Sequence, residues 1–547
     1  MVLKLFSSLE KCFLDEDFSK KTEYTEGSCL QNERFHFTVG FGPDGVSMGR
    51  KYMRFEVFSP LADCITVKRV ESVPVHKSGA ADENYLRATP GLYPDLLLDI
   101  PQNGRIAVSS NFESLYVEVD PQGHYAAGKY PIELRFTEIE GDGVESVTFN
   151  LEIIGAMLPE QELISTHWFY CDCLQDYYGT ENFDERHWEI IENFMKTAVK
   201  RGNNMILTPV FTPPLDTYIG GERTTTQLVG VSIDNGRYSF DFSLLDRWVE
   251  LCNRVGVKYF EIAHFFTQWG AAHAPKIMAT VDGEYKRIFG WDTDACGDAY
   301  KTFLNAFIPE FLAFMKSKDG ADKRCWFHIS DEPTIDNIEQ YSASRSVVSD
   351  LLRGYPIIDA LSDYEFYKDG VVAKPIPASD HIEPFIENNV EGLWTYYCCG
   401  QAVDVSNHFI SMPSARNRVI GMQMYKYNIE GFLHWGYNFY NNQFSYAKIN
   451  PFLRTDGEYF VQSGDTFLVY PAPDGTAYES LRLLVFEEAI QDIRAFRLCE
   501  KLCGRERVME ILEEGIDQIT FKKYPHSAGW LLGVRERINA QIKLSAK

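Results

Sequence analysis

Two rhythms of apolar and polar residues divide the chain. Up to about residue 157, short runs such as Met53–Phe58, Ile65–Val70, Leu115–Val119, Ile132–Phe136 and Val147–Ile154 alternate apolar with polar side chains. That period of two belongs to strands with one face in a core and one in water. Turn-rich pieces such as Pro121-Gln122-Gly123 and Gly141-Asp142-Gly143 separate them, and strands at this spacing predict an all-β sandwich over residues 1–157. From residue 158 the rhythm changes. Eight short apolar runs follow: Leu163–Tyr170, Met205–Val210, Val257–Ala263, Cys325–Ile329, Pro356–Leu361, Val371–Ile376, Gly392–Cys398 and Gly431–Tyr437. Runs without polar alternation suit parallel strands covered on both faces. Between them lie helical patterns: Trp188, Ile191, Met195 and Val199; Leu245, Trp248, Cys252 and Val255; Leu304, Ile308, Phe311 and Met315. Each set is spaced as one helix face requires. Eight strand–helix units over residues 158–505 predict an α/β fold of the (β/α)8, TIM-like barrel kind. Residues 506–547 read as amphipathic helices packed on the outside of that barrel.

The fourth run carries the most chemistry. Cys325-Trp326-Phe327-His328-Ile329 ends at two adjacent carboxylates, Asp331 and Glu332, and Pro333 then stops the strand. The carboxyl ends of the strands are where α/β barrels hold their reactive groups. Neighbouring carboxylates repel, which raises one pKa and leaves the other ionised. One proton donor beside one anion is the minimum for breaking a glycosidic bond. The competing reading is the start of a helix, where acids favour the dipole. Trp394, Tyr396 and Cys398 share one side of the seventh run, and Trp435, Tyr437 and Asn438 close the eighth. Such rings stack on the apolar face of a sugar, and Tyr or Asn bonds its substituents; their alternative role is to fill the barrel. His264 follows the third run, ahead of Trp269, and suits a hydrogen bond in the pocket better than a metal ligand. His328 reads as a satisfied core histidine, Asp172 and Asp176 as solvated acids or sugar contacts, and Cys398-Cys399 as buried thiols.

Composition narrows the classes. Of 547 residues, 45% are hydrophobic and 14% aromatic, so there is material for a large core and for a ring-lined groove. A formal net charge of −25 argues against nucleic acid or an anionic membrane as partner. The 12 cysteines show no CxxC pair and no zinc spacing, which fits free thiols in a reducing compartment. No apolar run approaches the roughly 18 residues of a membrane span. The opening Met-Val-Leu-Lys-Leu-Phe-Ser-Ser-Leu-Glu-Lys lacks the apolar centre of a secretion signal, so a cytoplasmic location is expected.

Taken together, the motifs resemble glycoside hydrolase family 123, the β-N-acetylgalactosaminidases. The resemblance rests on Ser330-Asp331-Glu332-Pro333, Trp394-x-Tyr396-x-Cys398, Arg418, the run Gly431 to Asn438, Ser480-Leu481-Arg482 and Glu487-Glu488-Ala489-Ile490-Gln491-Asp492. It covers about residues 160–505; Met422, where many relatives carry tryptophan, departs from it. The resemblance implies a retaining, exo-acting β-N-acetylgalactosaminidase in which the substrate's own acetamido oxygen attacks the anomeric carbon. Glu332 would then be general acid and base, and Asp331 would orient the acetamido N–H and stabilise the oxazolinium ion. Tyr396 would donate to the acetamido carbonyl, and His264, Trp394, Trp435, Tyr437 and Asn438 would contact the carbohydrate. No metal or cofactor is called for. The alternatives are the same fold with another sugar specificity, such as β-N-acetylglucosaminides, and a non-catalytic carbohydrate-binding protein.

Overall fold

The computed structural model describes residues 1–43, 50–268, 270–333 and 335–546. In the N-terminal region two five-stranded sheets face one another. One contains Val2–Ser7, Phe35–Gly42, Glu113–Val119, Ile65–Val75 and Gly91–Asp99; the other contains Glu26–Leu30, Val144–Ile154, Gly128–Glu138, Lys51–Phe58 and Arg105–Val108. Alternate residues from each, Phe37, Val39, Leu115 and Val117 against Ile132, Leu134, Phe149 and Leu151, meet in one buried cluster. This is the consequence of the period-two patterning.

All eight apolar runs contain a parallel strand, each shorter than its run. In chain order these are Ile164–His167, Met205–Thr208, Tyr259–Ile262, Cys325–Phe327, Ile358–Ala360, Lys374–Ile376, Trp394–Tyr396 and Gly431–His434. Six form one sheet in the order fourth, third, second, first, eighth, seventh. The fifth and sixth pair with each other in parallel, and isolated parallel bridges connect Phe327 to Ile357 and Ala378 to Tyr396. The chain is thus mixed α/β with a β-rich N-terminal region.

The connecting helices bury the faces their spacing predicts. Trp188, Ile191 and Met195 are buried in Glu185–Lys200; Leu245, Trp248 and Cys252 in Ser243–Val255; all four of Leu304, Ile308, Phe311 and Met315 in Asp298–Ser317. The first is capped by Asp184, which accepts the His187 N–H at 2.7 Å. The long connections after the second and third strands carry more order than their sequence suggests. Each contains a hairpin, Gly230–Asp234 with Arg237–Asp241 and Ile277–Val281 with Glu284–Phe289, and the two join in a four-stranded sheet.

Several of the resemblance residues hold the N-terminal sheets to the rest of the chain. In the helix Leu481–Cys503, Glu487, Glu488 and Asp492 are buried. Arg418 reaches Glu488 at 2.7 Å and Asp492 at 2.8 Å. Arg201 bridges Glu487 and Glu479 at 2.6 Å each and Glu118 at 2.5 Å. His36 lies between Glu118 at 3.2 Å and Glu488 at 3.0 Å. Burial opposes its charge, but bonds to the two glutamates prevail and lift its pKa to about 9. The last helix, Ala528–Ser545, adds Arg535, which meets Asp492 and Glu33.

Candidate active site

A cavity of about 340 Å³ opens where the first, fourth, fifth, seventh and eighth strands end, and Asp331, Glu332, Tyr396 and Trp435 line it. Its volume and mixed apolar and polar lining suit a small ligand. Opposite the strand ends, the connections after the second, third and eighth strands contribute, in turn, Leu215 and Asp216; Gln268; and Gln443, Phe444 and Phe460.

The turn carrying the two carboxylates is pinned from below. Asp359, in the fifth strand, accepts the N–H of Ile329 at 3.0 Å and of Ser330 at 3.3 Å, and the Tyr341 hydroxyl also donates to it. Ser330 Oγ donates to the Thr267 carbonyl at 2.9 Å. So held, Glu332 takes a left-handed backbone with φ of 43°, a conformation that costs a non-glycine residue of order 1–3 kcal/mol and that surrounding structure must impose.

Beneath this turn His328 is buried between Glu261, 2.7 Å from Nε2, and Asp359, 3.5 Å from Nδ1. Burial disfavours its charge, yet the two carboxylates outweigh that and raise its pKa to about 9, so it is an imidazolium. Glu261 also accepts from Trp168 Nε1 at 2.8 Å and from Thr166. The core reading of His328 holds, with an ion triad as the reason.

The Asp331 carboxyl is pushed well above the ordinary carboxylate range. Burial is the main cause, followed by the charge of Glu332; His328 partly offsets both. Glu332 Oε1 accepts the Tyr396 hydroxyl at 2.7 Å. Tyr396, predicted as an acetamido donor, is therefore bonded to a carboxylate here. Burial and that carboxylate hold its own proton firmly, well above the usual phenol range.

The other sequence-predicted contacts divide. Trp435 lines the cavity wall, half-buried, with Nε1 donating to Asp465 at 2.9 Å and its ring against Phe439 and Phe460. Trp394 does not reach the cavity: it is fully buried one layer deeper, 5.1 Å from the Trp326 ring. Tyr437 is fully buried and donates to the Phe194 carbonyl at 3.0 Å. Asn438 is equally buried and exchanges two hydrogen bonds with the Tyr170 backbone, at 2.9 and 3.0 Å, tying the eighth strand's end to the first. His264 is buried with its ring stacked 4.2 Å from His328 and its edge contact on Trp168. Burial, then the His328 charge, keep it neutral. These four are structural neighbours of the cavity. Trp269 lies outside the described residues.

Residues not singled out in the sequence complete the lining: Trp168, Tyr170, Asp216, Gln268 and Phe444. Asp172, which follows the first strand, is neither solvated nor at the cavity. It is buried in an ion pair with Arg223, 2.6 Å away, which anchors the connection that carries Asp216. Cys398 and Cys399 also line the cavity, and Cys398 is a firmly protonated thiol.

His408, His434 and Asp465 are the described residues near the cavity whose ligand atoms come close enough together for a metal ion. The donor set fits one poorly. The Gly436 N–H points at His434 Nδ1, 3.0 Å away, so the ring proton sits on Nε2, the nitrogen that faces Asp465 at 3.3 Å. Asp465 reads as a hydrogen-bonded support for Trp435, backed by His434, with the His408 ring packed 4.3 Å from that of His434.

The cavity sets two adjacent carboxylates and several aromatic rings around a space sized for a small ligand. The sequence profile of the glycoside hydrolase 123 catalytic domain matches residues 168–499; the chain belongs to glycoside hydrolase family 123 and is a glycosidase. A family 123 glycoside hydrolase from Clostridium perfringens, studied for glycolipid glycan hydrolysis, superposes with a TM-score of 0.73 over 99% of this chain and 97% of that one, at 14% identity. The two share a fold. A β-glucuronidase from Parabacteroides merdae matches over 86% of this chain and 51% of its own, with a TM-score of 0.31 and 11% identity. No curated protein matches the chain. Among the described residues no helix is long and apolar enough to cross a membrane.

Proposed function

We propose that the protein is a retaining, exo-acting β-N-acetylgalactosaminidase that uses its substrate's acetamido oxygen as the nucleophile. The observation that carries this reading is that Asp331 and Glu332 are sequence neighbours on one wall of the cavity, electrostatically coupled. Two carboxylates on one side of a sugar ring suit one acid at the glycosidic oxygen and one partner for the 2-substituent, in contrast to the usual pair flanking the bond.

The proton positions support a sequence of events. Burial and the neighbouring Glu332 favour the neutral form of Asp331, while Glu332 accepts from Tyr396. An acetamido N–H delivered to Asp331 favours its ionised form, and the proton passes to Glu332. Glu332 then protonates the leaving oxygen while the acetamido oxygen closes on the anomeric carbon. The Asp331 anion stabilises the oxazolinium ring, and Glu332, now a base, takes a proton from the water that opens it. Tyr396, released from Glu332, would then donate to the acetamido oxygen. Trp435 offers the ring face for the sugar.

We also infer that the eight strands close into a full (β/α)8 barrel, because the bridges Phe327–Ile357 and Ala378–Tyr396 join the fifth and sixth strands to the six-stranded sheet. The glycolipid glycans of the Clostridium perfringens relative suggest terminal β-linked GalNAc on a glycoconjugate as the substrate class.

Initial rates on p-nitrophenyl β-GalNAc, β-GlcNAc, β-galactoside and β-glucoside test the function, with proton NMR of the first sugar released. The expected result is fast cleavage of β-GalNAc, inert plain galactoside and a β-anomer as first product. Efficient galactoside cleavage or an initial α-anomer would exclude the mechanism, and a preference for β-GlcNAc would move the specificity.

A further inference from the structure

We infer that Asp216 and Gln268 form a hydroxyl clamp, an acceptor and a donor built as one unit on the wall of the cavity, that selects the sugar by its ring hydroxyls. The inference rests on the reading of this cavity as a sugar site.

Both residues line the cavity with the two catalytic-candidate carboxylates, yet come from different connections, one after the second strand and one after the third. They are joined directly: the Asp216 N–H donates to Gln268 Oε1 at 2.5 Å. That bond settles which way the amide points, because only its oxygen can accept from a backbone N–H. Gln268 Nε2 therefore carries two N–H groups. It is buried, Gln268 being 4% exposed, and it has no partner among the described residues. A buried amide without a partner costs roughly 1–3 kcal/mol, and such groups need an explanation in a well-packed chain. A ligand hydroxyl accepting from Nε2 provides one.

Asp216 is complementary. Its backbone is left-handed, with φ of 41°, and it is held there by three contacts: the Gln268 bond, the Phe444 N–H on Oδ2 at 3.1 Å, and the Ser445 hydroxyl on its carbonyl at 2.7 Å. Phe444 and Ser445 are left-handed as well, with φ of 57° and 55°. Three left-handed residues of two connections thus meet at one spot, a conformation that the surrounding contacts must hold in place. Only Oδ2 has a backbone donor; the rest of the carboxylate's acceptor capacity is available to the cavity. Burial raises its pKa to about 6, and its charge adds to the field on Asp331. Its carboxyl faces the same space as the dyad.

A sugar hydroxyl is both donor and acceptor. It can give its hydrogen to Asp216 and accept from Gln268, or two adjacent hydroxyls can divide the tasks. An alcohol lacking at that position leaves both protein groups unpaired. That penalty makes polar sites reject deoxygenated ligands far better than apolar sites reject extra groups. The clamp would thus supply specificity for ring hydroxyls, while the dyad reads the acetamido group.

The test uses the aryl β-glycoside that the full-length enzyme cleaves best and its analogues deoxygenated singly at C3, C4 and C6, each with wild type and with Asp216→Asn. Asparagine keeps an oxygen for the Phe444 N–H and turns the cavity-facing acceptor into a donor. Wild type is expected to lose about 10–100-fold in kcat/KM on one or two of the deoxy substrates, the cost of a hydrogen bond to a charged group. Asp216→Asn is expected to lose a similar factor on the parent substrate and on those keeping the clamped hydroxyl. On the matching deoxy substrate its further loss should be under about threefold, since the partner is already gone. Gln268→Glu, which retains Oε1 and replaces the N–H donors with oxygen, should show the same pattern. Equal slowing of every substrate by Asp216→Asn would overturn the proposal and point to a nucleophile or a structural role. If the variants do not fold, inhibition of wild type by the free sugar and its deoxy forms decides: equal inhibition by all four overturns the clamp. Should wild type cleave no glycoside at all, the proposed function fails, and the same monosaccharides titrated into the protein still test the clamp by their relative affinities.

Discussion

The Tyr396 hydroxyl donates to Glu332 Oε1 at 2.7 Å, joining the end of the seventh strand to the carboxylate that follows the fourth. The bond fixes where the proposed general acid points, and it gives the tyrosine a task before any substrate arrives. Tyr396→Phe is expected to lower kcat/KM by about 10–100-fold, the worth of a hydrogen bond to a charged group, with the melting temperature nearly unchanged. Glu332→Gln should cost more, roughly 10²–10⁴-fold on substrates with poor leaving groups and less on aryl glycosides, whose leaving oxygen needs little protonation. Steady-state kinetics on a natural disaccharide and on a nitrophenyl glycoside check both. Near-normal activity of Glu332→Gln on the disaccharide would remove Glu332 from the role.

Asp331 links the site to stability. In the unfolded chain it titrates near the ordinary carboxylate value, and in the folded protein well above it. Between those values the folded state holds the proton more tightly, so stability falls as pH rises through the window and stays lowered above it. Asp331→Asn removes the ionisable carboxyl with little change of shape. It is expected to raise the melting temperature relative to wild type at about pH 7 and to change it little near pH 3, where Asp331 is largely protonated in both states. Activity should be lost in parallel. An equal shift at both pH values would show that the carboxyl is not strained by its surroundings.

Some of this was legible in the sequence and some was not, for physical reasons. All eight apolar runs hold a parallel strand, and Asp331 and Glu332 fall at the end of the fourth, because burial on both faces leaves a strong signal. Tyr396 and Trp435 do reach the cavity, but alternation along the seventh strand could not say how deep each side chain lies. Trp394 shares a face with Tyr396 and sits a layer lower, against Trp326. The eighth strand ends at His434, so parity no longer governs Tyr437 and Asn438, which turn into packing and backbone contacts. Asp216 and Gln268 lie in connections without periodicity. Their signal is the length of those connections on the strand-end side, which marks the region and not the residues. Arg418, Glu488 and Asp492, which carried part of the resemblance, join the helix Leu481–Cys503 to the N-terminal region through His36 and through Arg535 to Glu33.

Trp435 should act chiefly on binding. Its ring is half-buried, with one edge bonded to Asp465, so Trp435→Ala is expected to weaken sugar binding strongly. Its stability cost should stay below the about 3–5 kcal/mol of a fully buried tryptophan. Calorimetric titration with the product sugar, beside thermal unfolding, separates the two effects. Retained affinity with a collapsed melting temperature would make it core.

The ion network behind the site should behave oppositely. Arg418→Ala leaves Glu488 and Asp492 buried and short of a cation, and breaking such a pair costs about 3–5 kcal/mol. A large drop in unfolding midpoint is expected, with little change in product affinity for the protein that remains folded. A loss under about 1 kcal/mol, the usual worth of an exposed pair, would show that the network is solvated.

The central claim is that the nucleophile belongs to the substrate. The most direct measurement is kcat/KM for a series of aryl β-GalNAc glycosides whose N-acetyl group carries no, one, two or three fluorines. Each fluorine draws electrons from the acetamido oxygen and makes it a poorer nucleophile, while leaving the glycosidic bond and leaving group as they are. Substrate assistance through Asp331 and Glu332 requires the rate to fall steeply and steadily along the series. A flat series would mean that an enzyme group attacks the anomeric carbon, and would contradict the mechanism proposed for this site.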